Sequence, residues 1–200
     1  KPVAIKIGMV NDCATIHAIA DSLSSYSPSK LVVDPVMVST SGSMLMQRDA
    51  LEVFCSDLLP MATLLTPNIP EAEVLSKTEI HTVDDMDVAA KRILAIGCKA
   101  VLIKGGHLEG NKKIDKLYLQ DGTVHTFVHA TVNTRNTHGT GCTLSSAIAS
   151  FMARGLDLPD AIAHAKEDLS QALEAGKDVE IGEGHGPVCH LFNPEKTIIL

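Results

Sequence analysis

The sequence predicts an α/β fold built on a mainly parallel central sheet, and three observations predict it. Short aliphatic runs recur along the chain at Val3–Ile7, Leu31–Val33, Thr63–Leu65 and Val101–Ile103. Between them lie stretches whose apolar residues return at helical spacing. Aromatic residues are scarce, with no Trp, two Tyr and four Phe, so the core is aliphatic. Strands buried on both faces read as such continuous runs, and strands alternating with helices give right-handed βαβ crossovers. At 200 residues and 45% hydrophobic, the chain is expected to form one domain over 1–200 around one packed core.

Each element has its own signal. Val3–Ile7 reads as a strand interior to the sheet. Asp12 caps a helix whose apolar face is Ile16, Ile19, Ala20 and Leu23. Leu31–Val33 stops at Asp34-Pro35, Leu51–Leu59 reads as helical, and Thr63–Leu65 stops at Thr66-Pro67-Asn68. Thr82 opens a helix carried by Met86, Ala89, Ala90, Ile93 and Leu94 and ended by Gly97. Val101–Ile103 stops at Lys104-Gly105-Gly106. Ile114–Leu119 and Val124–Val128 flank Asp121-Gly122, the pattern of a β-hairpin. One closing helix runs from near Gly139 to about Arg154. The other has Pro159 in its first turn and Gly176 at its end.

Composition excludes several functions. The formal net charge is −7 and there is no basic cluster, which argues against a nucleic-acid partner. The five cysteines are scattered with no CxxC pair, as in a reduced cytoplasmic protein. No apolar run of 18 residues exists, so no membrane span is expected. The histidines show no HExxH and the serines no GxSxG, which argues against a zinc site and an α/β-hydrolase.

In open α/β sheets ligands bind outside the carboxyl ends of the strands, where Asp34, Thr66–Asn68 and Lys104–His107 interrupt the apolar runs. The sharpest segment is Asn136-Thr-His-Gly-Thr-Gly-Cys-Thr143. Glycines opening a helix expose backbone N–H groups that hold phosphate or developing negative charge; the alternative is a tight turn and nothing more. Cys142 follows in the first turn, where a helix N-terminus favours thiolate; it is either a base or a small packed residue. Glu71 in Asn68-Ile-Pro-Glu71 either holds Mg2+ or completes a helix start. Lys104 either neutralises a transferring phosphoryl group or is a solvated lysine. Asp34 is equally open between turn former and ligand group.

Six segments in this order resemble one family from end to end of the chain. They are Ile7-Gly-Met9, Val33-Asp-Pro-Val-Met-Val-Ser-Thr-Ser-Gly42, Leu65-Thr-Pro-Asn-Ile-Pro-Glu-Ala-Glu73, Val101-Leu-Ile-Lys-Gly-Gly-His107, Asn136–Thr143 and Gly184-His-Gly-Pro-Val188. The family is that of the hydroxymethylpyrimidine and phosphomethylpyrimidine kinases of thiamine biosynthesis. The resemblance implies a ribokinase-like three-layer α/β/α sandwich. It also implies ATP and Mg2+ as cofactors and a pyrimidine as the small-molecule substrate. Gly139, Thr140 and Gly141 would form the anion hole, with Thr140 also on the nucleotide. Cys142 would stand at the catalytic-base position, and Lys104 would touch the nucleotide phosphates. Asn68 and Glu71 would serve Mg2+ and phosphate, and Met9 and Val36 would line the pyrimidine pocket. A homo-oligomer is expected.

A pyridoxal-type kinase of the same superfamily, and a nucleotide-binding module without catalysis, are the alternatives. Family members begin with a Gly-rich segment that this sequence lacks, so the domain is expected to be N-terminally incomplete. The 200-residue chain alone is expected to be inactive and prone to associate.

Overall fold

The computed structural model describes residues 1–37, 45–107 and 112–194. Residues 38–42 of the Val33–Gly42 segment therefore lie outside the described residues. Six strands form one sheet in the order of the chain: β1 (Ile5–Ile7), β2 (Leu31–Val33), β3 (Leu64–Leu65), β4 (Ala100–Lys104), β5 (Lys112–Leu119) and β6 (Val124–Ala130). β1 to β4 run parallel, and β5 and β6 add an antiparallel hairpin against β4. β1 stands at the edge of this sheet, with β2 beside it.

Alternation along the strands sorts side chains into two cores. Val33, Leu65, Val101 and Ile103 face one layer, which holds α1 (Cys13–Tyr26), α2 (Arg48–Val53), α3 (Ile69–Ser76) and α4 (Val83–Leu94). Val32, Leu64, Ala100 and Leu102 face the other, against α5 (Thr140–Ala153) and α6 (Leu158–Gly176). The result is the expected three-layer α/β/α sandwich.

The caps that the sequence announces form. Asp12 accepts a hydrogen bond from the Thr15 amide at 2.9 Å, and Thr82 and Asp85 make a reciprocal capping box. Ile16, Ala20 and Leu23 are buried, as are Met86, Ala89, Ala90 and Ile93. Two details differ from the reading of the sequence. Leu51–Leu59 is one helical run in three pieces, α2 passing into a π-helical turn over Phe54–Leu58 and a 3₁₀ turn over Leu59–Met61. Two strands are also shorter than their predicted runs: β1 is three residues and β3 two.

Candidate active site

Register brings three polar residues to the carboxyl ends of neighbouring strands, with Asp34 and Thr66 each following the Val33–Leu65 pair and Lys104 bridged to Asn68. The amide of Asp34 donates to Ile7 O at 2.9 Å, that of Thr66 to Val33 O at 3.0 Å, and that of Lys104 to Pro67 O at 2.9 Å. The ladder thus continues one step beyond the apolar runs. Lys104 Nζ lies 3.0 Å from Asp34 Oδ1, although the two are seventy residues apart. Thr66 Oγ1 donates to the same oxygen at 2.9 Å. Ser145 Oγ, on the inner face of α5, lies 3.3 Å from Asp34 Oδ2 and 3.0 Å from Gly141 O. Asp34 is only 2% exposed. A carboxylate taken out of water survives only with compensation, and the ammonium and hydroxyl groups supply it.

Asn68 and Glu71 open α3. The Asn68 side chain accepts from the Glu71 amide at 2.9 Å, and the Glu71 carboxylate accepts from the Asn68 amide at 2.8 Å. This is a capping box, so the helix-start reading of these residues is correct. It does not exhaust them, because Glu71 is 3% exposed, unlike an ordinary surface cap. Burial pushes its carboxyl above the usual glutamate range. The Lys104 charge and the amides of Asn68 and Met37 pull it down, while the Asp34 charge raises it. Two buried carboxylates therefore share one ammonium.

Gly139 precedes α5 with φ 86°, the left-handed region, and α5 begins with no side-chain cap. Its first-turn amides, those of Gly141 and Cys142 among them, carry the positive end of the helix dipole. A Cβ added to Gly141 would lie 3.6 Å from Lys104 Nζ and 3.7 Å from Asp34 Oδ2. The glycine start therefore stands directly over the Lys104–Asp34 pair, with no side chain from residue 141 between them. Thr140 is half-buried in this turn and Cys142 is exposed. Met9, 60% exposed beyond β1, and Val36, half-buried two residues after Asp34, lie at the same end of the sheet.

The structure thus joins Lys104, Gly141, Asn68 and Glu71 around Asp34. It adds Thr66 and Ser145, which the reading of the sequence did not assign. Ser145 carries a signal in hindsight: it lies one helical turn after Gly141, among the buried Leu144, Ile148 and Met152. Among the described residues no group of three or more His, Cys, Asp or Glu could hold a metal ion.

Residues 1–189 match the family model for phosphomethylpyrimidine kinase. The chain belongs to the phosphomethylpyrimidine kinase family. It is 44% identical over 189 residues to the hydroxymethylpyrimidine/phosphomethylpyrimidine kinase of Rhizobium meliloti, covering 94% of this chain and 70% of that one. It is 44% identical over 192 residues to the thiamine biosynthesis bifunctional protein ThiED of Geobacter sulfurreducens, covering 96% of this chain but 38% of that longer protein. The pyridoxal kinase of Staphylococcus aureus, solved in complex with AMP-PCP and pyridoxal, superposes with a TM-score of 0.84 at 31% identity, covering 94% of this chain and 67% of that one. The family is one of phosphotransferases, and the fold is the ribokinase-like one that the six segments imply.

Proposed function

We propose that this chain carries the phosphoryl-transfer site of a thiamine-biosynthesis kinase. The kinase moves the γ-phosphoryl group of ATP to the hydroxymethyl oxygen of 4-amino-5-hydroxymethyl-2-methylpyrimidine, or to the phosphate of its monophosphate. The observation that carries this is the Lys104–Asp34 pair, 3.0 Å apart, lying beneath the uncapped glycine start of α5.

Phosphoryl transfer asks a protein mainly for positioning and for positive potential where charge develops. Lys104 provides a fixed ammonium, held by Asp34 until a phosphate oxygen competes for it. The amides at the start of α5 face the equatorial oxygens of the group in flight. The acceptor oxygen forms the new O–P bond as the bond from the γ-phosphorus to the bridging oxygen breaks and ADP leaves. Cys142 takes the proton of the acceptor hydroxyl. Thr140 lies on the nucleotide side of the same turn, and Met9 and Val36 face the pyrimidine.

The donor set fits Mg2+ that arrives with the nucleotide. Mg2+ takes one or two carboxylates together with substrate phosphates, and Asp34 and Glu71 exceed the charge of Lys104 by one. Asn68 and Glu71 would hold the ion, through water in view of their capping bonds, and the ion would neutralise the β- and γ-phosphate oxygens. The protein acts in the cytoplasm as a homo-oligomer on small molecules. Its net charge of −7 argues against a nucleic-acid partner, and among the described residues no helix is long and apolar enough to cross a membrane.

A pyridoxal-type kinase is the second reading, favoured by the fit to the pyridoxal kinase structure. ADP release from Mg-ATP by the full-length protein, measured with the pyrimidine, its monophosphate and pyridoxal, decides between them. Turnover on the two pyrimidines in preference to pyridoxal supports the proposal. Turnover on pyridoxal alone supports the second reading, and turnover on none overturns both.

A further inference from the structure

We infer that Asn136 is a positioning residue for the anion-binding turn, and that the Gly184–Val188 segment is the brace through which it acts. This inference rests on the kinase reading of that turn. Two of the six diagnostic segments, Asn136–Thr143 and Gly184–Val188, lie about fifty residues apart in the chain, and the catalytic proposal uses only the first. The structure shows what the second does.

Asn136 is 7% exposed and three of its hydrogen-bonding positions are occupied. Its Nδ2 donates to Gly176 O and to Val179 O, each at 2.7 Å. Its Oδ1 accepts from the Gly186 amide at 3.1 Å. Two carbonyls on one side and an N–H on the other fix the orientation of the amide. Asn136 therefore ties together the end of α6, the chain just beyond it and the Gly186 backbone.

The backbone then carries this constraint to the turn. The His138 amide donates to Gly186 O at 3.1 Å, and the Val188 amide donates to His138 O at 3.4 Å, so His138 pairs with Pro187 as a parallel bridge. Gly139, with its φ of 86°, is the next residue. The far side of the brace is pinned as well, with the Cys189 amide on Ala172 O at 3.1 Å and His190 Nε2 2.9 Å from Thr143 Oγ1. The turn that presents the Gly141 and Cys142 amides is thus fixed from the brace side and not only by α5.

Gly186 is required by the same contact. A Cβ there would stand 2.2 Å from Asn136 Oδ1 and 2.7 Å from its Cγ, so any larger residue expels the Asn136 amide. Asn136 and Gly186 form one device, and removing either member disables it.

The test is a double-mutant comparison of Asn136→Ala, Gly186→Ala and both together in the full-length protein, assayed well below each variant's melting temperature. Misplacing a reacting group by about 1 Å costs on the order of 100-fold in rate. Each single variant is expected to lower kcat roughly 10- to 100-fold. The KM for the pyrimidine should change by less than about twofold, because Met9 and Val36 lie on other elements. With Asn136 already truncated the Gly186→Ala clash is gone, so the double variant should match Asn136→Ala alone. Full kcat in a folded Asn136→Ala, or losses that multiply in the double variant, would overturn the inference. If the wild type transfers no phosphoryl group, the kinase reading fails and amide hydrogen exchange over residues 137–143 decides the brace. Faster exchange in both single variants supports it, and unchanged exchange overturns it.

Discussion

Lys104→Met separates the structural role of the lysine from its chemical one. The substitution keeps the aliphatic stem and removes the charge, leaving Asp34, 2% exposed, without its ammonium. Thr66 still donates at 2.9 Å, but a hydroxyl does not neutralise a carboxylate. Removing one partner of a buried pair costs about 3–5 kcal/mol, because the other is left uncompensated. In a protein of this size each kcal/mol moves Tm by about 2–4 °C, so Lys104→Met should melt roughly 6–20 °C below wild type. Asp34→Asn on that background removes the stranded charge and keeps an acceptor for Thr66. The double variant should recover most of the lost Tm, since replacing both charges is often near neutral. Neither variant should transfer phosphate at more than a small fraction of the wild-type rate, because both lack the ammonium. Thermal melts by circular dichroism, read beside ADP release, provide the check. A single variant that melts with wild type, or a double variant no more stable than the single, would show that the pair is not coupled as the geometry requires.

Three further outcomes follow from individual residues. Cys142→Ala should lower kcat by roughly 10²- to 10⁴-fold with Tm unchanged, as expected on removing an exposed general base; steady-state kinetics with the pyrimidine alcohol would detect a near-normal kcat and return Cys142 to a packing role. Gly139→Ala places a side chain at φ 86° with no atom within 4 Å of the new Cβ. Its cost is therefore backbone strain alone, about 1–2 kcal/mol, visible as a Tm loss that Gly139→Asn should lessen. Burial raises the Glu71 carboxyl above its unfolded value, so the native state holds its proton more tightly than the unfolded chain does. Stability is then lost as pH rises through that window and stays low above it. Glu71→Gln, which keeps an acceptor for the Asn68 amide, should melt above wild type at pH 8, with the gap closing toward pH 4, and should bind Mg-ATP more weakly; equal Mg-ATP affinity would remove Glu71 from the metal assignment.

Local physics was legible in the sequence, and long-range pairing was not. Asp12, Thr82 and Gly139 announce helix starts because caps are settled within a few residues. The four aliphatic runs announce strands because burial on both faces leaves no room for polar alternation. The π-helical turn over Phe54–Leu58 has no such local signature. At the site, the glycine start of α5, Lys104 and the Asn68–Glu71 pair were each visible as candidates with bland alternatives. What decides among those alternatives is register. Asp34 meets Lys104 because both stand at the carboxyl ends of parallel strands in one sheet, and Ser145 reaches Asp34 across 111 positions. The capping box also shows that two readings of one motif can both hold, since Glu71 caps α3 and is buried beside Lys104. The contact between Asn136 and Gly186 was unreadable for the same reason, as only the fold brings those two segments together.

If the glycine start of α5 and the Lys104–Asp34 pair form one phosphoryl-transfer site, following the phosphorus reveals it. The full-length protein is incubated with γ-³²P-labelled ATP, Mg2+ and the hydroxymethylpyrimidine, and the labelled product is compared between wild type, Lys104→Met and Gly141→Val. A valine at 141 would cover the ammonium, because even a Cβ there lies 3.6 Å from Lys104 Nζ. Label on the pyrimidine in wild type, lost in both variants while each still folds, is the predicted result. Label transferred as fast by both folded variants as by wild type would contradict it.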